Sequence, residues 1–405
     1  MRNSSSEFPF KVLHFSTSHI GGAAIAARRL HLALLQLGID SVFVTLDKGK
    51  APLGPAEVAL KRVSLLRVIG GVLTKLQILI SRKSLFTIFS LATVRWKRIL
   101  ELIASPNTIV HIHNSYNFVT PRIVKSIAAM GIPVIYTAHD QRLMTGGCHY
   151  SFSCTNFESG CKKCPELPIL INQVPQFNLR LSMASYKSNQ NKISVIAPSK
   201  WLFEEFLKSG VGESLDLHFI PNVSENSQAE NLIDLKRFRN PGREFVIGLA
   251  AMDSASYIKG GDRVDALIED CKSDETISFL YLSEVLQNGG THEDFWEAVN
   301  VLLVLSRADN SPNVIHEAKN RLVPVIGSKV GGITELLLPG VDYLVDKDSE
   351  DISILRQAIQ FIRSNPNSHR GNQAIGDHWR SYLGEPLLAH VSLYQQLIST
   401  SEKMP

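Results

Sequence analysis

The chain has 405 residues, of which 44% are hydrophobic and 20% charged, and a formal net charge of +4. This is the composition of an ordinary globular protein. The mild charge gives no indication of nucleic-acid binding, and no apolar run reaches the ~20 residues of a membrane-spanning helix. A chain of this length predicts two domains rather than one. Its first residues lack the apolar segment of a secretory signal peptide, so we expect a cytoplasmic protein.

The first half of the chain alternates strands with helices. In chain order, the predicted elements are the strand FKVLHFS, the helix AAIAARRLHLALLQLG, the strands SVFVT and TIVHIH, the helix PRIVKSIAAMG, the strands PVIYTAHD and ISVIAPS, and the helix KWLFEEFLKSG. Alternation of this kind predicts a doubly wound parallel sheet. We assign it to an N-terminal Rossmann-like domain over residues 1–221.

The polar segment 222–243 is a predicted linker, after which the alternation restarts. Strands EFVIGLA, ISFLYL, VLLVLS, VPVIG and DYLVD alternate with helices GDRVDALIEDC, HEDFWEAV, SPNVIHEAKN and ITELLLPG. They predict a second Rossmann-like domain over 244–384, followed by a C-terminal helix (385–405) that packs back on the first domain. Ligands of open parallel sheets bind beyond the carboxyl ends of the strands, so the sequence predicts a ligand in a cleft between two facing domains.

A pair of glycines, Gly21 and Gly22, lies between the first strand and the first helix. The bare backbone N–H groups at a helix N-terminus attract phosphate. The segment does not match GxGxxG, so it gives little support for a dinucleotide site. A tight turn without a ligand is the alternative interpretation.

A second candidate site follows the strand VLLVLS. Ser311 suits the N-cap position of a helix and Pro312 the first helical position. Asp309 lies just before this helix and Glu317 lies within it, where a carboxylate could accept hydrogen bonds from sugar hydroxyls while the helix amides hold a diphosphate. Lys259, after the first strand of the second domain, could neutralise that diphosphate. Solvated surface residues are the alternative interpretation.

Taken in order, several segments resemble those of a known enzyme family. The chain is similar to bacterial glycosyltransferases of the large retaining group-1 family (family four), and most to members of the colanic-acid or exopolysaccharide type. The matching segments run from Ser18 to Tyr343 and are GGAAIAARRLHLALLQLG, VHIHNSYNF, YTAHD, TGGCHY…C…GCKKCPEL, APSKWL, IPN, KGGD and DNSPNVIHEA…PVIGSKVGGITELL. The resemblance implies the GT-B fold, in which two Rossmann-like domains face a cleft. It also implies transfer of a sugar from a nucleotide sugar to an acceptor, with retention of configuration and without a metal ion or other cofactor.

The resemblance implies a role for each matching residue. Gly21 and Gly22 meet the donor phosphates or the acceptor, and His139 faces the transferred sugar. Lys259 holds the diphosphate, Asp309 contacts the sugar and Glu317 binds the nucleotide ribose. The segment expected to give backbone amides to the sugar and phosphate comprises Asn310, Ser311, Pro312 and Asn313. Catalysis would then rest on positioning of the two substrates and on stabilisation of phosphate charge.

Three features depart from the family pattern. The family has Glu-x7-Glu, whereas this chain has Asp309-x7-Glu317. No arginine lies between Gly248 and Lys259, where the family usually places one close to the lysine. The stretch between ISFLYL and VLLVLS is short, as though one βα unit were missing. A degenerate nucleotide-sugar-binding protein with little activity is therefore an alternative function.

Four of the five cysteines are clustered in the loop 146–166, with the spacing C-x5-C-x6-C-x2-C. Disulfides are rare in a reducing cytoplasm, and four clustered cysteines suit a closed, structural zinc site. We take Cys148, Cys154, Cys161 and Cys164 as candidate zinc ligands, with His149 as a spare ligand. Unmetallated thiols or disulfides are the alternatives. Cys271 is expected to be a small core residue.

The segment from Val58 to Leu100 contains no acidic residue and nine basic ones. Interleaved with apolar residues, they predict either a basic amphipathic helix on an anionic membrane surface or surface helices with snorkelling cations. The first interpretation, together with the resemblance, suggests a lipid-linked saccharide acceptor and a peripheral position on the inner face of the plasma membrane. The nine residues are Lys61, Arg62, Arg67, Lys75, Arg82, Lys83, Arg95, Lys97 and Arg98.

A metal-dependent hydrolase is a further alternative. His111, His113, His139 and Asp140 lie at the ends of two predicted strands, in the manner of a metal-ligand set. Further carboxylate ligands are missing from the pattern, and the second domain would have no role.

Overall fold

The computed structural model describes residues 8–46, 54–80, 87, 90–187, 193–224, 245–250, 257–346, 351–369 and 371–401. The chain divides into two compact units, one made of residues 1–223 with 385–405 and the other of residues 224–384. Residues 225–243 of the predicted linker lie outside the described residues, as do Arg82 and Lys83 of the basic segment.

The first unit contains a seven-stranded parallel sheet of order β3-β2-β1-β4-β5-β6-β7. Its strands are buried on both faces, which explains why they read as apolar runs rather than as alternating patterns. The strands are β1 (Lys11–Ser16), β2 (Asp40–Thr45), β3 (Glu57–Ala59), β4 (Thr108–Ile112), β5 (Val134–Thr137), β6 (Ser194–Ala197) and β7 (Asp216–Phe219). The helices are α1 (Gly22–Gln36), α2 (Ser64–Ile80), α3 (Trp96–Ile103), α4 (Pro121–Ala129), α5 (Val174–Lys187) and α6 (Lys200–Lys208).

The second unit contains a five-stranded parallel sheet of order β12-β11-β10-β8-β9. Two short helices and no strand lie between β9 and β10, all within the described part of the chain, which is the shortened stretch noted in the sequence. The strands are β8 (Phe245–Leu249), β9 (Ile277–Tyr281), β10 (Val301–Val304), β11 (Val325–Ser328) and β12 (Tyr343–Val345). The helices are α7 (Gly261–Cys271), α8 (Leu282–Gln287), α9 (His292–Ala298), α10 (Asn313–Asn320), α11 (Ile333–Leu336), α12 (Ile352–Ser364) and α13 (Gln373–Leu383).

The C-terminal helix α14 (Pro386–Ser401) belongs to the first unit. Its Tyr394 is fully buried, and the Tyr394 hydroxyl lies 2.8 Å from His111 Nδ1 on β4. The ring of Tyr394 also packs edge-on against Phe10, with 6.1 Å between the ring centroids. The chain therefore returns to complete the core of its first unit after forming the second.

Each sheet has apolar layers on both faces. In the first unit, Leu13 and Phe15 of β1 point into one layer, whereas Val12 points into the layer that also holds Tyr394. In the second unit, Leu302 of β10 packs against the side of α10, and Leu303 packs against the side of α7 and α12. This layering places the polar side chains that follow the strands at the carboxyl edge of each sheet.

Candidate functional site

In the first unit, three neighbouring strands end together at the carboxyl edge. β1, β4 and β5 are adjacent and parallel, so the Gly21 turn, His113 and His139 follow them at the same edge of the sheet. This edge is where open α/β sheets bind ligands. The structure thus places two of the sequence-predicted positions, Gly21 and His139, at one edge.

Gly21 is the N-cap of α1 and has a φ of +98°, which only glycine adopts readily. Helix α1 is 15 residues long, and neither a side-chain cap nor an acidic residue in the first turn opposes its positive pole. A Cβ built at Gly21 would contact nothing within 4 Å, so the conformation rather than crowding requires glycine here. The turn thus leaves space at a helix N-terminus, as an anion site needs.

A row of histidines runs from the core of this unit to His139. His14 Nδ1 lies 3.1 Å from His113 Nε2, and His113 Nδ1 lies 3.2 Å from His139 Nε2. Burial lowers the pKa of His14 and of His113 well below 6.5, so both rings are neutral near pH 7. Each ring then carries one N–H. If His113 donates to one neighbour it must accept from the other, so both hydrogen bonds run in the same direction along the row.

The buried end of the row sets that direction. His14 Nε2 is buried and has no hydrogen-bond partner. A buried N–H without an acceptor is rarer than a buried acceptor without a donor. His14 is therefore favoured with its proton on Nδ1, donating to His113, which in turn donates to His139 Nε2. That leaves the proton of neutral His139 on Nδ1 and makes this residue a hydrogen-bond donor.

His139 borders a pocket of the first unit with a volume of about 660 Å³. Removal from water lowers the pKa of His139 to about 4, although the Asp140 carboxylate opposes the shift. Burial raises the pKa of Tyr186, which also lines the pocket, to about 12. A pocket of this size suits a small ligand with several polar groups. Its other polar lining residues include Arg122, Arg142, Tyr116, Tyr136, Asn178 and Ser182.

The hydrolase ligand set is not assembled. Asp140 lies 3.2 Å from Arg142 and 3.1 Å from His149. Although burial acts in the opposite direction, the Arg142 guanidinium and the hydrogen bond with His149 hold the pKa of the Asp140 carboxyl well below its usual range. His149 is therefore engaged with Asp140, and its Nε2 lies 2.9 Å from Thr87 Oγ1. In this arrangement neither ring nitrogen of His149 is directed at the cysteines, and its role as a spare zinc ligand stays a prediction.

Within the described residues, the one trio of potential ligand side chains whose atoms all lie within 4.8 Å of one another is His14, His111 and His113. All three are almost fully buried, so a substrate could not reach a metal there. His111 also uses both ring nitrogens, at 2.8 Å from Tyr394 and 2.8 Å from Thr137. The trio is best understood as a neutral hydrogen-bonded core.

In the second unit, the structure brings Lys259 and Asp309 together. They follow the adjacent strands β8 and β10, and Lys259 Nζ lies 2.6 Å from Asp309 Oδ2. Asp309 is 6% exposed, and its Oδ1 accepts a hydrogen bond from the Asn310 amide at 3.0 Å. Its two oxygens are thus both engaged, and the carboxylate fixes the ammonium at the carboxyl edge of the sheet.

Helix α10 begins one residue later than predicted. Pro312 is its N-cap and Asn313 its first residue, so Ser311 does not cap the helix. The Ser311 hydroxyl instead lies 2.7 Å from His316 Nε2. Because proline has no side-chain oxygen, the N-cap residue itself makes no capping hydrogen bond. Glu317 lies on this helix and is 8% exposed, so it is not a solvated surface residue.

Sequence reasoning missed Arg307. No arginine precedes Lys259 within its own loop, but the structure brings Arg307 from the end of β10 to the turn that ends at Lys259. Its guanidinium lies 4.1 Å from the Tyr257 ring centroid and makes two bonds to Asp262, of 2.5 and 2.6 Å. An arginine two residues before Asp309 was visible in the sequence, but only the adjacency of β8 and β10 makes it a neighbour of Lys259.

The four clustered cysteines of the first unit surround a small cavity, whereas Cys271 is buried in the core of the second unit. No two of the five cysteines form a disulfide. The cavity shares Thr145 and Gly146 with the wall of the 660 Å³ pocket.

Comparisons with known proteins were made for sequence and for structure. No protein-family model matches the sequence. A curated relative, the Vi polysaccharide biosynthesis protein VipC/TviE of Salmonella typhi, is 30% identical over 106 residues. The match spans 26% of this chain and 18% of the relative's length.

Among solved structures, sucrose-phosphate synthase from Thermosynechococcus elongatus is similar with a TM-score of 0.63 and 16% identity, over 96% of this chain and 100% of that one. The fold is that of the GT-B glycosyltransferases. HepE from Anabaena, in complex with UDP-glucose, has a TM-score of 0.53 and 13% identity, over 97% and 100% of the two chains. WaaG, a glycosyltransferase of lipopolysaccharide biosynthesis, has a TM-score of 0.54 and 11% identity, over 95% and 99%. The predicted fold class is confirmed.

Proposed function

We propose that this protein transfers a hexosyl group from a nucleotide sugar to a lipid-linked saccharide in surface-polysaccharide synthesis, with retention of configuration. The observation that carries the proposal is the Lys259–Asp309 pair, 2.6 Å apart, at the sheet edge where helix α10 begins. A fixed cation beside a helix N-terminus suits a leaving diphosphate. The fold, the UDP-glucose bound to HepE and the polysaccharide role in the name of the Salmonella relative support the same class of reaction.

In the proposed mechanism, the residues of the second unit bind the donor. Lys259 holds the diphosphate. Asp309 orients Lys259, and this role takes the place of the direct contact between Asp309 and the sugar that the sequence led us to expect. Glu317 accepts hydrogen bonds from the ribose, and backbone amides in the segment 310–313 bind the sugar and phosphate. The leaving phosphate accepts the proton of the incoming hydroxyl on the same face of the sugar. The protein supplies position and charge rather than a metal ion.

In the first unit, the proposed ligands are the acceptor and the transferred sugar. His139 offers Nδ1–H as a donor to a sugar oxygen, and the 660 Å³ pocket beside it takes the acceptor saccharide. The hydroxyl and amide groups in its wall suit a sugar. Gly21 and Gly22 offer the N-terminus of α1 to a phosphate group of a ligand bound at this edge.

The donor assignment is tested by binding and by turnover. A thermal-shift screen with UDP, GDP and ADP sugars should find one base that raises the melting temperature. Glu317→Gln should then weaken binding by about 1–3 kcal/mol, roughly 5- to 150-fold, because it leaves polar partners unmet. Lys259→Met should mainly lower turnover. Lys272→Ala is the matched control, because this lysine is exposed at the C-cap of α7 and pairs with Glu269.

Three outcomes separate the alternatives. Wild-type binding and turnover in both variants would refute the site. Binding without turnover in the wild-type protein would favour the degenerate binder. This alternative is tested because Lys259 is already paired with Asp309, and Arg307 with Asp262. A product whose anomeric configuration, measured by NMR, is opposite to that of the donor would contradict retention.

The lipid-linked acceptor is inferred from helix α2, which presents an apolar face to solvent. Its polar side instead packs inward: the Thr74 hydroxyl and Gln77 both contact the Tyr116 hydroxyl. A surface helix of a globular protein has the opposite arrangement. The large side chains on the exposed face are Leu65, Val68, Ile69, Val72, Leu76 and Leu79.

Basic residues flank this apolar face. Arg67 and Lys75 are exposed on α2 itself, and Arg95, Lys97 and Arg98 are exposed at the start of α3. No helix within the described residues is long and apolar enough to cross a bilayer. Apolar side chains bordered by cations suit a helix that lies in the surface of an anionic membrane. Leu73 of the same helix lines the 660 Å³ pocket, so such a position would hold the pocket near a lipid carrier on the cytoplasmic face.

Liposome co-sedimentation tests this interpretation. We expect binding to anionic vesicles at low salt, weaker binding to neutral vesicles, and release at high salt. Replacing Leu65, Val68 and Leu79 with serine should abolish binding, and changing Arg95, Lys97 and Arg98 to glutamate should reduce it. Serine at Leu207 and Leu388, two exposed leucines elsewhere on the first unit, is the matched control and should change nothing. If the wild-type protein ignored anionic vesicles at low salt, a soluble acceptor would be the better proposal.

A further inference from the structure

The four clustered cysteines face one enclosed space. Cys148, Cys154, Cys161 and Cys164 all line a cavity of about 20 Å³, which is room for a single water-sized species. No lysine, arginine, histidine, aspartate or glutamate lines it. The loop therefore places four cysteines, and no charged side chain, around a space of atomic size.

The backbone is shaped around one of these sulfur atoms. The Gly146 amide donates a hydrogen bond to Cys161 Sγ at 3.3 Å. Cys161 and Lys163 have φ values of +59° and +50°, a left-handed conformation that costs free energy in residues other than glycine. A tight turn with amide-to-sulfur hydrogen bonds stabilises thiolates, which are the form of cysteine that binds metals.

Redox chemistry fits this site less well. Cys161 and Cys164 are buried, and no lysine, arginine or histidine lines the cavity to activate a thiol for redox chemistry. An iron–sulfur cluster, with several iron and sulfide atoms, would not fit into 20 Å³. A divalent cation would deprotonate the thiols that coordinate it.

We propose that Cys148, Cys154, Cys161 and Cys164 bind one zinc ion in a closed, structural site. With Zn–S bonds of about 2.3 Å, the sulfur atoms of such a site are about 3.8 Å apart. No three of the cysteine sulfur atoms in the described chain all lie within 4.8 Å of one another, so binding requires the side chains to close on the cavity. Cys148 and Cys154 are only partly buried and have room to do so.

The site would hold one wall of the pocket beside His139. Thr145 and Gly146 line both the cysteine cavity and the 660 Å³ pocket, and the Gly147 carbonyl accepts a hydrogen bond from the Thr87 amide at 2.7 Å. A side chain could not replace Gly146, because its Cβ would lie 2.2 Å from the Pro175 carbonyl oxygen. The proposed ion thus fixes a loop that has few large apolar side chains of its own. This inference concerns the stability of the first unit and is independent of the proposed transfer reaction.

Elemental analysis of protein made in zinc-replete medium should find about one zinc per chain. Cys161→Ser/Cys164→Ser should lose it, whereas Cys271→Ser, a buried cysteine of the second unit, should retain it. Cobalt substitution of the wild-type protein should give the visible ligand-field bands of a tetrahedral thiolate site. A strong chelator should release the zinc and lower the melting temperature of the wild-type protein, so the test stands even if the double variant does not fold.

Several results would overturn the proposal. One is protein made in zinc-replete medium that contains no metal and has four titratable thiols in the cluster. Another is a protein mass four hydrogens below that of the reduced chain, which would show two disulfides. A third is brown protein that contains iron. Retention of zinc by the double variant would show that the ion is bound elsewhere.

Discussion

Acidification should destabilise the first unit well above the pH at which carboxylates titrate. Burial lowers the pKa of His14, His111 and His113 well below 6.5, with smaller contributions from neighbouring histidines, and it lowers the pKa of His390 to about 4. A histidine whose folded pKa is depressed binds its proton mainly in the unfolded state. Its contribution to stability is therefore complete above pH 6.5 and is lost as the pH falls toward the folded pKa.

The magnitude follows from the unfolded pKa of about 6.5. Protonation of an unfolded histidine stabilises the unfolded state by about 0.1 kcal/mol at pH 7.5 and by about 1.4 kcal/mol at pH 5.5. Each of these four histidines, and His139 with its pKa of about 4, should thus cost about 1.3 kcal/mol over this range, and the five together about 6–7 kcal/mol. Domains are stable by only about 5–15 kcal/mol, so the first unit should come close to unfolding at pH 5.5.

Urea unfolding at several pH values, followed by tryptophan fluorescence, measures this loss. Two of the chain's four tryptophans, Trp96 and Trp201, lie in the first unit, so a Trp296→Phe/Trp379→Phe background reports on that unit alone. His390→Gln should reduce the pH dependence by about 1.3 kcal/mol. Tyr394→Phe is the control: it removes the partner of His111 and should cost about 1 kcal/mol at every pH without changing the pH dependence.

A loss below about 1 kcal/mol between pH 7.5 and 5.5 would refute the reasoning, because it would mean that the folded protein protonates these histidines readily. An unchanged pH dependence in His390→Gln would also contradict it.

Three further predictions concern single residues. Asp342→Ala should destabilise the second unit by about 3–5 kcal/mol, because it leaves the fully buried Lys319 ammonium without its carboxylate. Urea unfolding followed by the fluorescence of Trp296 and Trp379 would measure the loss, and a value below about 1 kcal/mol would contradict the prediction. Gly260→Ala should lower both the melting temperature of the second unit and the affinity for the donor. The new Cβ would lie 2.0 Å from the Leu305 carbonyl oxygen, and the residue has a φ of +74°. Unchanged donor affinity would show that this turn does not position Lys259. His113→Phe should lower the transfer rate about 10-fold or more without changing donor affinity, because it frees the tautomer of His139; a wild-type rate measured by nucleotide release would remove the histidine row from the mechanism.

The sequence by itself determined the architecture. Apolar runs such as VLLVLS and TIVHIH are long enough for strands and are separated by amphipathic helices, and this periodicity is local, so it can be read without knowing any contact. The short stretch between β9 and β10 was visible for the same reason. The positions of Lys259, Asp309 and Glu317 at strand ends and on a helix also followed from the order of elements along the chain.

Only the tertiary structure decided which side chains meet. Lys259 and Asp309 lie 50 residues apart, and their ion pair exists because β8 and β10 are neighbours although β9 lies between them in the chain. Arg307 was overlooked for the same reason. The row from His14 to His139 likewise depends on the pairing of β1, β4 and β5.

Helix α2 shows the limit of patterning most clearly. Its apolar and basic composition was plain in the sequence, but which face points outward depends on the surface it packs against. The structure packs Thr74 and Gln77 against Tyr116 and leaves Leu65, Leu76 and Leu79 exposed. Propensity and periodicity are properties of a segment, whereas burial is a property of the segment and its neighbours together, and for this reason the fold could be predicted from the sequence while the contacts of the site could not.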